Sequence, residues 1–276
     1  MQIDKGEFNK KGYAILKSLV SNEIIDKIKT ELYYNSENTI KDRIQDAWKN
    51  HDIICDLAFD SNILNILENL YDRKPVPFQT LNFYKGTQQR LHSDQIHFCS
   101  DPENFMCGLW IALEDITMEN GPLIYYPGSQ NMEFKTMQKL NLEQKDYIGY
   151  ENKIQDIINE SKLEPEYGLI KKGDALLWHA NLIHGGYKII NENSTRLSMV
   201  IHYFFENTKY WTPLFSTPNN VVYRDRQTFI KRLRVPVDFN PVVYKSLNID
   251  LQNMTDDESI QHYINNGFYE KRIYKV

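Results

Sequence analysis

The sequence predicts a mainly β protein, a barrel or sandwich core preceded by helices and followed by a short helical tail. Three observations carry that prediction. From about residue 76 the chain breaks into short apolar and aromatic runs separated by Gly, Pro and Asn, the pattern of many short strands. Aromatic residues make up 13% of the chain, with 18 Tyr and 13 Phe, types that favour strands. On either side of this region lie stretches with helical periodicity.

In order along the chain, SNEIIDKIKTELYYN opens on Ser21 as a helix N-cap, and Ile25, Ile28 and Leu32 recur at helical spacing. DSNILNILENLYD (60–72) repeats the pattern with Ile63, Leu64, Leu67 and Leu70. The predicted strands are VPFQTLNFYKG, MCGLWIALEDI, GPLIYYPGS, DALLWHA and RLSMVIHYFF. The stretch 135–167 is polar, contains KIQDIINESK, and reads as an inserted loop with a short helix, the usual form of a lid. After Pro236, Thr255–Asp256–Asp257–Glu258 forms a capping box, and Gly267 stands at the predicted C-cap. A tail of about 40 residues is below the size that folds unaided, so it is expected to pack on the core or on a partner. The predicted division is 1–236 for the β domain and 237–276 for a small helical module.

With 276 residues, 41% of them hydrophobic, the chain can bury one large core. A net charge of −5 without a long basic run argues against nucleic acid and acidic membrane surfaces as partners. No apolar stretch has signal-peptide or bilayer-spanning length, so the expected location is cytoplasmic. Cys55, Cys99 and Cys107 show neither CxxC spacing nor an even count and are expected to be reduced core thiols.

The chemistry starts at RLHSDQIHF (90–98). On an extended chain His92 and Asp94 leave the same face. Two histidines, His179 and His184, compete for a third ligand place; behind His184, Gly185–Gly186 would let the backbone turn tightly and approach a bound group. Arg196 and Ser198 follow, and a hairpin register could bring both back beside His184 to hold a carboxylate. Two imidazoles and one carboxylate on one face of a metal leave three positions open, as in non-haem Fe(II) oxygenases. A 2-oxoacid would chelate through two of these and O2 would take the third.

The segment LHSDQIHFCSDPENFMCGLWIALEDITMENGPLIYYPGSQ (91–130) closely resembles the phytanoyl-CoA dioxygenase family of Fe(II)/2-oxoglutarate oxygenases, with its WxALED…NGPLxxYPGS core. The likeness continues through KKGDALLWHANLIHGG and STRLSMVIHYF, and FNKKGYAILKSLVSNEIIDKI looks like the family's helical entry, so that it covers about residues 7–215. The resemblance implies a double-stranded β-helix (jelly-roll) core with flanking helices, using Fe(II), 2-oxoglutarate and O2. It makes His92, Asp94 and His184 the iron ligands and Arg196 with Ser198 the 2-oxoglutarate anchor. Trp110 would lie along the co-substrate pocket, and Asn82 or Gln79, on the strand before the HxD pair, would contact 2-oxoglutarate. Related halogenases lack the carboxylate, so Asp94 points to hydroxylation.

Gln95 and His97, just past the ligand pair, are candidates for the substrate side. His179 is expected to be structural beside Trp178, and His202 a hydrogen-bonded core histidine on the same strand parity as Arg196 and Ser198. Nothing in the chain marks a CoA phosphate site; Lys171–Lys172 is an ordinary solvated pair. The C-terminal FNPVVYKSLNIDLQNMTDDESIQHYINNGFYEKRIY resembles a small helical module appended to glycosyltransferases and other surface-polysaccharide proteins. That implies a small-molecule substrate of sugar or glycan-precursor type, or a docking or oligomerisation role for the module. Two alternatives stand beside the hydroxylase: a cupin-like sugar isomerase or epimerase, and a non-catalytic binding or scaffold protein.

Overall fold

The computed structural model describes residues 2–34, 42–133, 136–224, 235–236, 239–268 and 270–275. An N-terminal block holds α1 (Lys5–Lys11), β1 (Tyr13–Leu16), α2 (Asn22–Lys29), β2 (Arg43–Gln45), α3 (Asp52–Ala58) and α4 (Ser61–Tyr71). Then come β3 (Pro75–Phe83), β4 (Cys99–Asp101), β5 (Met106–Ala112), β6 (Leu123–Tyr125) and α5 (Tyr147–Glu160). The core ends with β7 (Glu166–Tyr167), β8 (Ala175–His179), β9 (His184–Gly186), β10 (Ser198–Phe205), β11 (Lys209–Trp211) and β12 (Tyr223–Arg224). Helices Pro241–Leu247 and Asp256–His262 follow.

The helices start where side chains can take up free N–H groups. Ser21 accepts from the Ile24 N–H and Asp60 from the Ile63 N–H. The apolar stripes then face inward: Ile25, Ile28, Ile63, Leu64, Leu67 and Leu70 are all buried. Asp146 caps α5 through the Gly149 N–H, so this helix begins before the predicted KIQDIINESK and runs 14 residues, burying Tyr150, Ile154 and Ile158.

The strands form a six-stranded antiparallel sheet, β1-β8-β5-β10-β3-β2, and two three-stranded sheets, β7-β6-β9 and β12-β11-β4. This is the expected jelly-roll arrangement. The period of two along β10 separates the faces of the large sheet. Met199, Ile201, Tyr203 and Phe205 join the core shared with α2, α3 and α4. Val200 and His202 look into a cavity that Leu123 of β6 and His184 of β9 close from the other side. With both faces covered, β5 and β10 bury every residue, which explains their largely apolar texture.

Cys55, Cys99 and Cys107 are free and buried. Among the described residues no helix is long and apolar enough to cross a membrane. At the C-terminus the Thr255–Glu258 capping box forms in both directions. Gly267 is not a left-handed cap. It closes a π turn, and a Cβ there would run into the Tyr244 hydroxyl, so close packing requires the glycine. Tyr244, Leu251 and Tyr263 make a separate apolar cluster, and the Phe268 ring meets Phe59 of the N-terminal block edge-on at 5.5 Å. The predicted boundary after Pro236 runs into residues 237–238, which lie outside the described residues.

Candidate metal centre

His92 and His184 meet across two antiparallel chains. Each donates its backbone N–H to the other's carbonyl at 2.9 Å, and their rings lie 4.5 Å apart. The chain stays extended through Ser93, whose hydroxyl accepts from the Gln95 N–H, and turns at Asp94 into a single 3-10 turn, Asp94–Ile96. The Asp94 carboxylate thus caps the end of the extended run and faces both imidazoles. Its Oδ1 stands 3.8 Å from His92 Nε2 and 3.9 Å from His184 Nε2.

The orientation of all three groups is set from behind. His92 Nδ1 donates to the Arg90 carbonyl at 2.9 Å and His184 Nδ1 to the Leu182 carbonyl at 3.0 Å, which leaves both Nε2 lone pairs toward the centre. The Trp178 indole N–H donates to Asp94 Oδ2 at 2.7 Å, leaving Oδ1 for the centre. The ligand atoms lie within 4.8 Å of one another, a donor set that fits a divalent transition ion. Burial, then the neighbouring His184, pulls the His92 imidazole to about 3 and keeps it neutral, as a ligand must be. Burial pushes the Asp94 carboxyl up, but His184, His202, His92 and the Trp178 N–H outweigh it and hold the group ionised, at about 2.

A cavity of about 350 Å³ opens from these ligands. Arg196 forms its deep wall, 1% exposed, with its guanidinium 5.4 Å from the Trp110 ring and 5.5 Å from the Phe83 ring. Burial draws Arg196 down to about 10, against Glu114, so the group stays charged at neutral pH. Its Nε and Nη1 have no hydrogen-bond partner among the described residues. A buried cation with unpaired donors is costly unless an anion completes it, and a carboxylate matches its fork.

The remaining candidates separate. Trp110, Gln79 and His97 line the cavity. Ser198 is fully buried at the start of β10 and shares strand parity with Val200 and His202, but it does not line the cavity, and its hydroxyl donates to the Arg196 carbonyl at 3.4 Å. Asn82 does not reach the cavity. Alternation along β3 sends Gln79, Leu81 and Phe83 inward and Asn82 to the opposite face, because the strand stays regular there. Gln95 also misses it: the 3-10 turn rotates its side chain away from the ligands, and its amide donates to Asn104 Oδ1 at 3.2 Å. His179 is structural as expected, its Nδ1 accepting from the Asn181 N–H, and takes no part in the cluster. His202 is a hydrogen-bonded core histidine, paired with Gln79 Oε1 at 3.0 Å, yet it also reaches the centre, 3.7 Å from Asp94 Oδ2.

Sequence reasoning missed five side chains. Trp178 was seen only as a packing partner. Gln89 places its amide 3.3 Å from His92 Nε2 and 3.5 Å from the Tyr147 hydroxyl. Tyr147, the first residue of α5, brings the predicted lid into the cavity wall, and Tyr150 of the same helix accepts the Ser93 N–H at 3.2 Å. Arg43 lines the mouth from the edge strand β2. Of these, only Tyr147 and Tyr150 carried a signal, their position inside the insertion.

Known proteins share both pattern and fold. The chain is 27% identical over 149 residues to phytanoyl-CoA dioxygenase 1 of Oryza sativa subsp. japonica, covering 52% of this chain and 50% of that protein. It is 24% identical over 254 residues to the peroxisomal phytanoyl-CoA dioxygenase of Rattus norvegicus, covering 78% and 71%. The chain spans about half the length of the rice protein and of a Danio rerio relative. Among solved structures, EctD from S. alaskensis superposes with a TM-score of 0.61 at 17% identity over 80% of this chain and 83% of that one. The α-ketoglutarate dependent epimerase SnoN from nogalamycin biosynthesis does so at 0.59 and 17% over 75% and 83%. Residues 8–197 match the family model of phytanoyl-CoA dioxygenase, a span that holds the His92–Asp94 pair, His184 and Arg196, and the chain therefore belongs to the phytanoyl-CoA dioxygenase (PhyH) family.

Proposed function

We propose that the protein is a non-haem Fe(II)/2-oxoglutarate-dependent dioxygenase that hydroxylates a small molecule of sugar or glycan-precursor type. The observation that carries this reading is the pairing, in one cavity, of an inward-facing His92–Asp94–His184 set with a buried guanidinium whose donors are unpaired. His92 Nε2, His184 Nε2 and Asp94 Oδ1 would hold the iron. Arg196, supported by Ser198, would hold the far carboxylate of 2-oxoglutarate between the Trp110 and Phe83 rings. With O2 and the 2-oxoacid, the metal supplies the oxidising power to break a substrate C–H bond. The chain's own work is to keep one face of the metal open, to exclude water with Trp110, Phe83 and Trp178, and to orient the substrate with Gln89, His97 and Tyr147.

Solved relatives support the co-substrate: SnoN is described in complex with Fe3+ and α-ketoglutarate, and EctD with 2-oxoglutarate and 5-hydroxyectoine. The sugar class rests on the C-terminal module 237–276, to which we also assign a docking or oligomerisation role. Three buried free thiols suit a reducing, cytoplasmic compartment. The likeness to an epimerase favours one second reading, inversion at a sugar carbon.

The test is anaerobic addition of Fe(II) and 2-oxoglutarate, followed by the metal-to-2-oxoacid absorbance, and then a succinate-release screen over sugars, nucleotide-sugars, acyl-CoAs and amino acids. Loss of both metal binding and the absorbance band would leave only a scaffold role. Succinate release with a product that gains one oxygen atom supports hydroxylation; release with unchanged product mass supports epimerisation.

A further inference from the structure

We propose that the substrate of this cavity is a small polar molecule carrying an oxyanion group, a carboxylate or a phosphate, and that Arg43 receives that group beside His97. The proposal rests on the dioxygenase reading above.

The placement of Arg43 follows from register. Strand β2 adds to the edge of β3 with Arg43 opposite Phe83, a cavity residue, while Ile44 between Arg43 and Gln45 turns to the helix-side core. Arg43 therefore extends on the cavity side of the sheet, and it forms part of the cavity wall.

Charge then distinguishes it. The fully charged side chains lining the cavity are Asp94, Arg196 and Arg43. Asp94 faces the two imidazoles, and Arg196 lies deep between two aromatic rings, where the co-substrate carboxylate belongs. Arg43 is exposed, and its side chain forms no ion pair or hydrogen bond with any described residue. It shares the cavity wall with His97 and Phe98. A second guanidinium reinforces it: Arg224 stands 4.9 Å from the Phe98 ring, another part of the wall, and commits its Nε to Thr212 Oγ1 at 2.7 Å. Arg43 in the wall and Arg224 against Phe98 thus give this cavity two cations outside the co-substrate position, while Asp94, the carboxylate in the wall, is committed to the ligand set. A cleft of one sign with low-dielectric walls concentrates the opposite ion, and a guanidinium binds a planar oxyanion through two parallel hydrogen bonds.

Size and lining define the rest of the molecule. The cavity, about 350 Å³, lies near the lower end of the range for ligand clefts and must also take the co-substrate dicarboxylate. Around the open side stand Thr87, Gln89, His97 and Tyr147, hydrogen-bonding groups suited to hydroxyls rather than to an aliphatic chain. A sugar acid or a sugar phosphate has this chemistry.

The test uses the full chain loaded anaerobically with Fe(II) and 2-oxoglutarate, titrated by calorimetry with acetate, with inorganic phosphate, and with neutral acetamide. Saturable binding of either anion, absent for acetamide, is expected. Arg43→Gln should weaken the anion at least tenfold and Arg43→Lys should restore part of the loss, with the 2-oxoglutarate absorbance band of each variant retained. The tighter of the two anions identifies the group as carboxylate or phosphate. If the band forms but neither anion binds, or Arg43→Gln binds it as well as wild type, this proposal is overturned and the dioxygenase reading stands. If the wild-type protein gives no band at all, both fall together.

Discussion

The Trp178 indole N–H donates to Asp94 Oδ2 at 2.7 Å, and this bond selects which carboxylate oxygen faces the two imidazoles. The indole can reach Asp94 because Trp178 on β8 pairs with Gly108 on β5, where a Cβ would run into the indole ring. With Oδ2 engaged, Oδ1 is the oxygen that Asp94 would offer to a metal. Trp178→Phe keeps most of the apolar burial and removes the bond. Its Fe(II) affinity should fall by about 10- to 100-fold, the usual effect of losing a partner that orients a ligand. Gly108→Ala, which displaces the same indole, should give a loss of similar size. Anaerobic calorimetry with Fe(II) measures both, and wild-type affinity in both variants would show that the bond does not orient the ligand.

Gly185 and Gly186 line the cavity next to His184, and they also let two chains pair closely. A Cβ on Gly185 would lie 2.7 Å from the Gln89 carbonyl oxygen, and one on Gly186 2.7 Å from the Gln88 nitrogen. The glycines let β9 lie close against the chain that carries His92. Gly185→Ala should force the two chains apart, costing about 1–3 kcal/mol of stability as overpacking does, and should lower metal affinity although no ligand has changed. Urea unfolding and Fe(II) titration of the same variant check the two effects together; a stable variant with intact metal binding would refute the tight pairing.

Arg196→Gln separates co-substrate from metal. Losing one partner of a buried charge pair costs about 2–5 kcal/mol, so 2-oxoglutarate binding should weaken at least about 30-fold while Fe(II) affinity holds. The apoprotein should not lose stability, because the variant removes a buried cation whose Nε and Nη1 are unpaired. Asp94→Ala should instead abolish Fe(II) binding and succinate release. Full turnover in Asp94→Ala would remove Asp94 from the ligand set.

Much of this was legible in the sequence because it depends on local pattern. Ser21 and the Thr255–Glu258 box act within one helical turn, and the alternation along β10 shows which residues face inward once one of them is placed. His92, Asp94, His184 and Arg196 could be singled out by type and order, with the family resemblance choosing His184 over His179. What the sequence could not show depends on register and on the third dimension. Asn82 and Gln79 differ only in strand parity, and that parity is fixed by the pairing of β3 with β10. Gln95 turns away because the chain leaves the extended conformation at Asp94, one residue before it. Trp178 touches Asp94 across 84 residues of sequence, a contact that neither spacing nor periodicity encodes. Arg43 enters the cavity wall only because β2 adds to the edge of the sheet.

Acidity should destabilise the apoprotein through its buried imidazoles, His202 among them. His202 is 4% exposed, with Nδ1 bonded to Gln79 Oε1, and burial draws it to about 4 despite the opposing pull of Asp94. The unfolded chain takes up this proton near the ordinary histidine value, about 6.5, whereas the folded chain resists it until about pH 4. The folded value being the lower one, the contribution is complete above about pH 6.5 and is lost as pH falls from there through about 4, a total of about 3 kcal/mol. Urea unfolding of the metal-free protein at a series of pH values across this window should show the decline. His202→Gln has no proton to gain, so its stability should fall less steeply over the same range. The decline should lessen rather than vanish, because His92 and His179 are drawn down in the same direction and remain. An unchanged slope in His202→Gln would assign the acid sensitivity to His92 and other groups and leave His202 without the role given to it.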